Sequence, residues 1–115
     1  MTTLINRPAA TRAELLAIHK WLCGAARSTM VRKNNDYADA DNPFGNLGLC
    51  EAMGVCPTDT GILIRLSDKL MRLAHYVRPG FEASVKDEGF LDTIEDAVNY
   101  LVLLAASRFA PTSDE

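Results

Sequence analysis

The sequence predicts an all-α fold, a helical bundle of three long helices and one short helix, on three observations. Apolar residues recur at intervals of three and four over three long stretches. Capping residues, prolines and glycines punctuate the chain between those stretches. The alternating Val-rich runs of β-strands are missing, as are internal repeats and low-complexity segments.

The first helix opens at Thr11-Arg-Ala-Glu14, a capping-box pattern in which a hydroxyl and a carboxylate satisfy the first free amides. It is predicted over residues 12 to about 33. Leu15, Ile18, Leu22, Ala25 and Ala26 share one side of it, while Arg12, Lys20 and Arg27 fall largely elsewhere, so the helix is amphipathic. Gly24 weakens it modestly.

Residues 33–53 read KNNDYADADNPFGNLGLCEAM, rich in residues that favour turns and caps. A loop followed by a short helix at about 44–53 is expected. Gly54 and Pro57 close that helix, and Thr58 or Asp59 caps the next, whose apolar positions are Ile62, Leu66, Leu70, Leu73 and Val77. Pro79-Gly80 ends it. After a connector at 81–86, a final helix is expected from about 87 to 109, with Leu91, Ile94, Val98, Leu101 and Ala105 on one side and Pro111 beyond its end.

The 115 residues suit one domain, 1–115, with 1–10 and 110–115 as flexible ends. A hydrophobic content of 48% supplies a core without disulfides, so the odd number of cysteines, Cys23, Cys50 and Cys56, points to a reducing compartment. The expected location is the cytoplasm, that of a bacterial host if the protein is phage-encoded. A net charge of −3 argues against a polymeric nucleic-acid partner, which needs a concentrated basic surface. The longest apolar run, 100–106, is far short of the roughly 18 residues of a membrane span, and the N-terminus has no signal-like apolar run. Helices this apolar, with Ile64 and Met71 on a second face, are expected to be covered by homo-oligomerisation.

The most suggestive chemistry lies on the last helix. Glu88, Asp92, Glu95 and Asn99 fall within about 60° of one another, with Asp96 somewhat aside. Like charges one turn apart repel, so a divalent cation such as Mg²⁺ or basic side chains should offset them. A solvated acidic strip near a helix N-terminus explains the same spacing. The preceding helix supplies the complement in Arg65, Asp68, Lys69, Arg72 and Tyr76, opposite its apolar side. Its cations suit phosphate groups, or pair within the helix through Asp68. In the loop, Lys33, Asn34, Asp36, Tyr37 and Asn46 suit a base and its sugar, and equally suit turns.

Other chemistries find little support. Asp36, Asp39, Asp41 and Asn42 lack the central Gly and terminal Glu of a calcium loop. Cys50, Cys56 and His75 match no zinc spacing. His19 has no nucleophile motif, and no GxSxG, P-loop or GxGxxG occurs.

The segments K33-N-N-D-Y37, N42-P-F-G-N46, G61-I-L-I-R65-L-S-D68-K69-L-M-R72-L, V85-K-D-E88 with Asp92, and D96-A-V-N99-Y100 occur in a set order. Over residues 31–106 they resemble the phage and bacterial nucleotide modification associated domain, first type. That family resembles the all-α nucleoside triphosphate pyrophosphatases of the MazG and dimeric dUTPase kind. The resemblance implies a nucleotide or nucleotide-derived ligand, Mg²⁺ and helical oligomers. It implies Glu88, Asp92 and Asp96 as metal ligands and Lys33, Arg65, Lys69 and Arg72 near phosphates. Asp36, Tyr37, Asn46 and Asn99, with Asp68 on the basic face, complete the implied nucleotide-binding set. The chain departs from the MazG pattern where an earlier helix carries an ExxE pair, since only Asp68 stands there.

Three functions follow from these residues, and no catalytic residue is assigned. The first is a Mg²⁺-dependent nucleotide pyrophosphohydrolase or an accessory factor of modified-nucleotide metabolism. A second is a non-catalytic phage protein that sequesters a nucleotide immune signal, an anti-defence role. The third is a helical interaction module without a small ligand.

Overall fold

The computed structural model describes residues 4–37, 41–80 and 88–113, with backbone alone for residues 35–37 and 88. Its elements are α1 (Arg12–Tyr37), a 3-10 turn (Gly45–Gly48), α2 (Leu49–Ala52), α3 (Thr58–Val77) and α4 (Glu88–Ala106). The protein is all-helical among the described residues, with three long helices in bundle-like packing. None of these helices is long and apolar enough to cross a membrane.

The capping box expected at the start of α1 is present, whereas the cap expected at Thr58 or Asp59 is not: Pro57 is the N-cap of α3 and no side chain caps it. The Glu14 amide donates to Thr11 Oγ1 at 3.1 Å, while Glu14 Oε1 accepts from the Ala10 amide at 3.0 Å. Arg7 pairs with the same carboxylate and, by hydrogen bonding to it, holds Glu14 below its usual pKa. Pro57 precedes α3 with extended backbone, Gly54 follows α2 in the left-handed region at φ 76°, and α3 ends where Arg78, ahead of Pro79, is extended at ψ 154°.

Three boundaries differ from the sequence expectation, the first being the short helix expected at about 44–53, which is a 3-10 turn over Gly45–Gly48 followed by α2 over Leu49–Ala52. α1 continues to Tyr37, so the KNNDY segment is helix rather than loop. The reason is tertiary: Lys33 reaches across to Asp96, and Asn34 Nδ2 donates to the Pro43 carbonyl at 2.7 Å, so both residues anchor the last turns. At the other end α4 stops at Ala106 instead of about 109. Ser107 Oγ there donates to the Leu104 carbonyl at 2.6 Å, and Arg108 turns to Asp59 at 2.8 Å.

α4 is the central element, packed against both α3 and α1. The contacts set its direction. Asn99 meets Ala26, Glu95 meets Thr29, and Asp96 meets Lys33, so α4 runs antiparallel to α1. The Arg108–Asp59 and Lys69–Asp96 pairs make it antiparallel to α3 as well. Ile62, Leu66, Ala26, Ala97 and Thr93 form the buried core, and the 3-10 turn packs on the start of α3.

This register leaves the amphipathic side of α1 only partly covered. Ala26 is buried, but Leu15 is 60% exposed and Ile18 36%. At 1.5 Å per residue the 26-residue α1 outruns the 19-residue α4 by about 10 Å, so its first turns extend past the end of α4. The molecule is correspondingly flat, 45 × 38 × 23 Å. Its accessible surface is 8769 Å². A monomer of 12.6 kDa ordinarily exposes about 6,200 Å².

Candidate functional site

A cavity of about 400 Å³ opens where α1, the segment after it, α3 and α4 converge. Lys33 and Asn34 enter from the last turns of α1, Phe44 and Asn46 from the segment before α2, and Arg65 from α3. Asp96, Asn99 and Tyr100 enter from α4, and Met30, Leu47 and Leu103 supply apolar lining. Concave spaces of this size, mostly apolar with a few convergent polar groups, are the usual form of small-ligand sites.

Asp96 fixes the polar end. Its Oδ1 accepts from Lys33 Nζ at 3.0 Å and its Oδ2 lies 3.1 Å from Lys69 Nζ. Burial pushes the Asp96 carboxyl upward, but hydrogen bonds from Lys33 and Lys69 outweigh it and hold its pKa below the usual carboxylate range. The carboxylate is therefore charged and clamped at neutral pH, and one net positive charge remains on the triad. Arg65 adds a second cation and enters no ion pair among the described residues.

A second hollow of about 390 Å³ lies on the other side of Asp96, lined by Arg72, His75, Tyr76, Asp92 and Thr93. Tyr76 packs against Phe90 with ring centroids 5.4 Å apart. Asp96 lines both hollows.

The acidic strip of α4 does not face solvent as one unit. Glu95 Oε1 accepts from Thr29 Oγ1 at 2.9 Å, and Asn99 Nδ2 donates to the Ala26 carbonyl at 2.9 Å, so both bind α1. Asp96, about 70° from the middle of the strip, makes the ion pairs, one with Lys33 of α1 and one with Lys69 of α3. Asp92 is exposed, and the Glu88 side chain lies outside the described residues.

Four of the residues expected at a nucleotide, Lys33, Asn46, Arg65 and Asn99, line the first cavity. Arg72 lines the second, Lys69 lines neither but is paired with Asp96, and Asp68 is exposed outside both linings. The side chains of Asp36 and Tyr37 lie outside the described residues. Phe44 and Tyr100 stand in the cavity although no binding role was given to them from sequence, and Asn34, read among the residues that suit a base and its sugar, stands there as well. A usable signal was available for Tyr100, which lies four residues after Asp96 and so shares its side of the helix.

For Mg²⁺, the described donors are Asp92 and Asp96. Among the described residues no group of three His, Cys, Asp or Glu side chains is placed to hold a metal ion. Both Asp96 oxygens already carry ammonium partners. By themselves these two carboxylates do not fit the near-octahedral oxygen shell that magnesium demands. The cysteines are free thiols, and burial, reinforced by the neighbouring Cys50, raises the pKa of Cys56.

No protein-family model, curated protein or solved structure matches the chain. Its functional reading therefore rests on the chemistry of the two hollows.

Proposed function

We propose that the protein binds a nucleotide or nucleotide-derived small molecule in the cavity between α1, α3 and α4, and that it acts as a homo-oligomer. The observation that carries the binding reading is the convergence of Lys33, Asn46, Arg65 and Asn99 on one 400 Å³ space from four separate segments. Arg65 and Lys33 supply charge for phosphate oxygens, Asn46 supplies an amide for a base or sugar, and Phe44 and Tyr100 supply rings for stacking. Asn99 is spent on the α1 backbone, so its part is to position α1 rather than to touch the ligand.

Binding is better supported than hydrolysis. A carboxylate clamped by two lysines is a poor general base, because its lowered pKa leaves little proton affinity at neutral pH. Magnesium enters this reading only as a companion of the ligand's phosphates.

The test is to incubate the pure protein with a nucleotide pool that includes cyclic species, with and without Mg²⁺. Both the supernatant and the ligand released on denaturation are then analysed. Recovery of an intact nucleotide, with affinity reduced about tenfold by Arg65→Ala through loss of a charged hydrogen bond, is expected. Release of altered nucleotide assigns hydrolysis instead, and no retained nucleotide under either condition rejects the site.

A further inference from the structure

The outer side of α3 carries a pattern that neither cavity uses. At 100° per residue, Thr60, Leu63, Ile64, Ser67, Leu70, Met71, Ala74 and Val77 fall in one arc of about 140°. From Thr60 onward no charged side chain of α3 enters that arc. Arg65, Asp68, Lys69, Arg72 and His75 all lie on the cavity side of the helix or at its margin. The apolar members stand open: Leu63 is 49% exposed, Leu70 53% and Met71 73%. The polar members present little unsatisfied chemistry, since Ser67 Oγ donates to the Ile64 carbonyl at 2.6 Å and Thr60 Oγ1 to Asp59 at 3.4 Å.

The spacing is a heptad with an internal size rule. Ser67 and Ala74 recur at a seven-residue interval and are small, Leu63 and Leu70 recur at the same interval and are large, and Thr60 and Val77, at the two ends of the same rows, are of similar size. A parallel copy would set small against small and large against large, so thin and thick layers would alternate. An antiparallel copy sets Leu63 against Ala74 and Ser67 against Leu70, a small residue with a large one in each central layer, and matches Thr60 with the similarly sized Val77 at the ends. A twofold axis between Ser67 and Leu70 generates all three layers from one sequence, which is what a self-complementary interface requires.

We propose that this side of α3 is the interface of a symmetric homodimer in which α3 packs antiparallel on its copy. The proposal rests on the reading that the chain self-associates and names the surface responsible. Five large apolar side chains of this arc, Leu63, Ile64, Leu70, Met71 and Val77, are 49–73% exposed. A standard interface takes about 800 Å² from each partner, and these side chains offer its apolar centre. Because the seam lies opposite Arg65 and Arg72, each protomer keeps its own cavity open. The exposed start of α1, at Leu15 and Ile18, has no comparable small-large alternation.

The mass of the full chain is measured by light scattering over a concentration series. Wild type is expected at twice 12.6 kDa. The double variant Leu63→Glu with Leu70→Glu, and separately Ser67→Leu, are expected at the monomer mass with helical circular dichroism retained. Leu15→Glu is expected to stay dimeric. Combining Ser67→Leu with Leu70→Ser exchanges small and large within one layer and should restore the dimer. A monomeric wild type overturns self-association and this interface together. A dimeric wild type whose α3 variants remain dimeric overturns the interface alone. If the charged double variant unfolds, Ser67→Leu decides, and failure of the exchange to restore the dimer rejects the antiparallel register.

Discussion

Replacing Asp96 by Asn tests the bridge that joins all three long helices. The substitution keeps the side chain's shape and removes the charge that both ammonium groups approach, Lys33 at 3.0 Å and Lys69 at 3.1 Å. The two arms are unequal. Lys33 is half exposed, so its pairing contributes about 0.5 kcal/mol. Lys69 is only 18% exposed beside a carboxylate at 19%, where a charged hydrogen bond contributes about 1.5–3 kcal/mol. Asp96→Asn should therefore destabilise the protein by about 2–3 kcal/mol at pH 7. For a chain of this size that is roughly 8–12 °C in melting temperature.

The pH dependence gives the sign. Asp96 has a folded pKa below its unfolded value, so its contribution is fully present above the unfolded value of about 3.9. It is lost as pH falls through the lower folded pKa. Urea titrations of wild type and variant at pH 7 and at acid pH measure this directly, and the gap between them should narrow on acidification. Lys33→Met should cost clearly less than Lys69→Met. A gap that stays constant with pH, or lysine arms of equal cost, refutes the bridge as described.

Two further outcomes follow from the packing. Ile62 is completely buried, and Ile62→Ala should cost about 2–5 kcal/mol in urea unfolding, because the transfer free energy is lost and a cavity remains between α3 and its neighbours. Asn99→Leu removes the hydrogen bond that Asn99 Nδ2 donates to the Ala26 carbonyl, at a cost of about 0.5–1.5 kcal/mol. In that variant hydrogen exchange should rise in α1 more than in α3, and equal changes in both helices contradict the assigned contact.

The sequence carried the helix count, three of the four helix starts to within a residue, and the residue types of the candidate site. Local causes suffice for these. A hydroxyl and a carboxylate three residues apart satisfy free amides, glycine accepts positive φ, proline cannot continue a helix, and a period near 3.6 marks an apolar side. The family resemblance grouped Lys33, Asn46, Arg65 and Asn99 with five other residues, and these four line one cavity. The acidic strip was legible as a spacing but misleading as a unit: Glu95 and Asn99 turn to α1, while Asp96 turns to Lys69. Spacing within one helix fixes which side chains share a side, and says nothing of what stands opposite.

Register between helices was the decision left to tertiary structure. The antiparallel packing of α4 on α1 determines that Ala26 is buried and Leu15 is not, though periodicity places both on one side. The same register carries α1 on through Asn34, where turn-forming residues alone predict a stop, because contacts to Asp96 and Pro43 outweigh intrinsic preference. Sequence by itself determined the elements and the chemistry available to them. Only the packing decided which charges meet, since an ion pair between residues 63 positions apart depends on how two helices slide against one another.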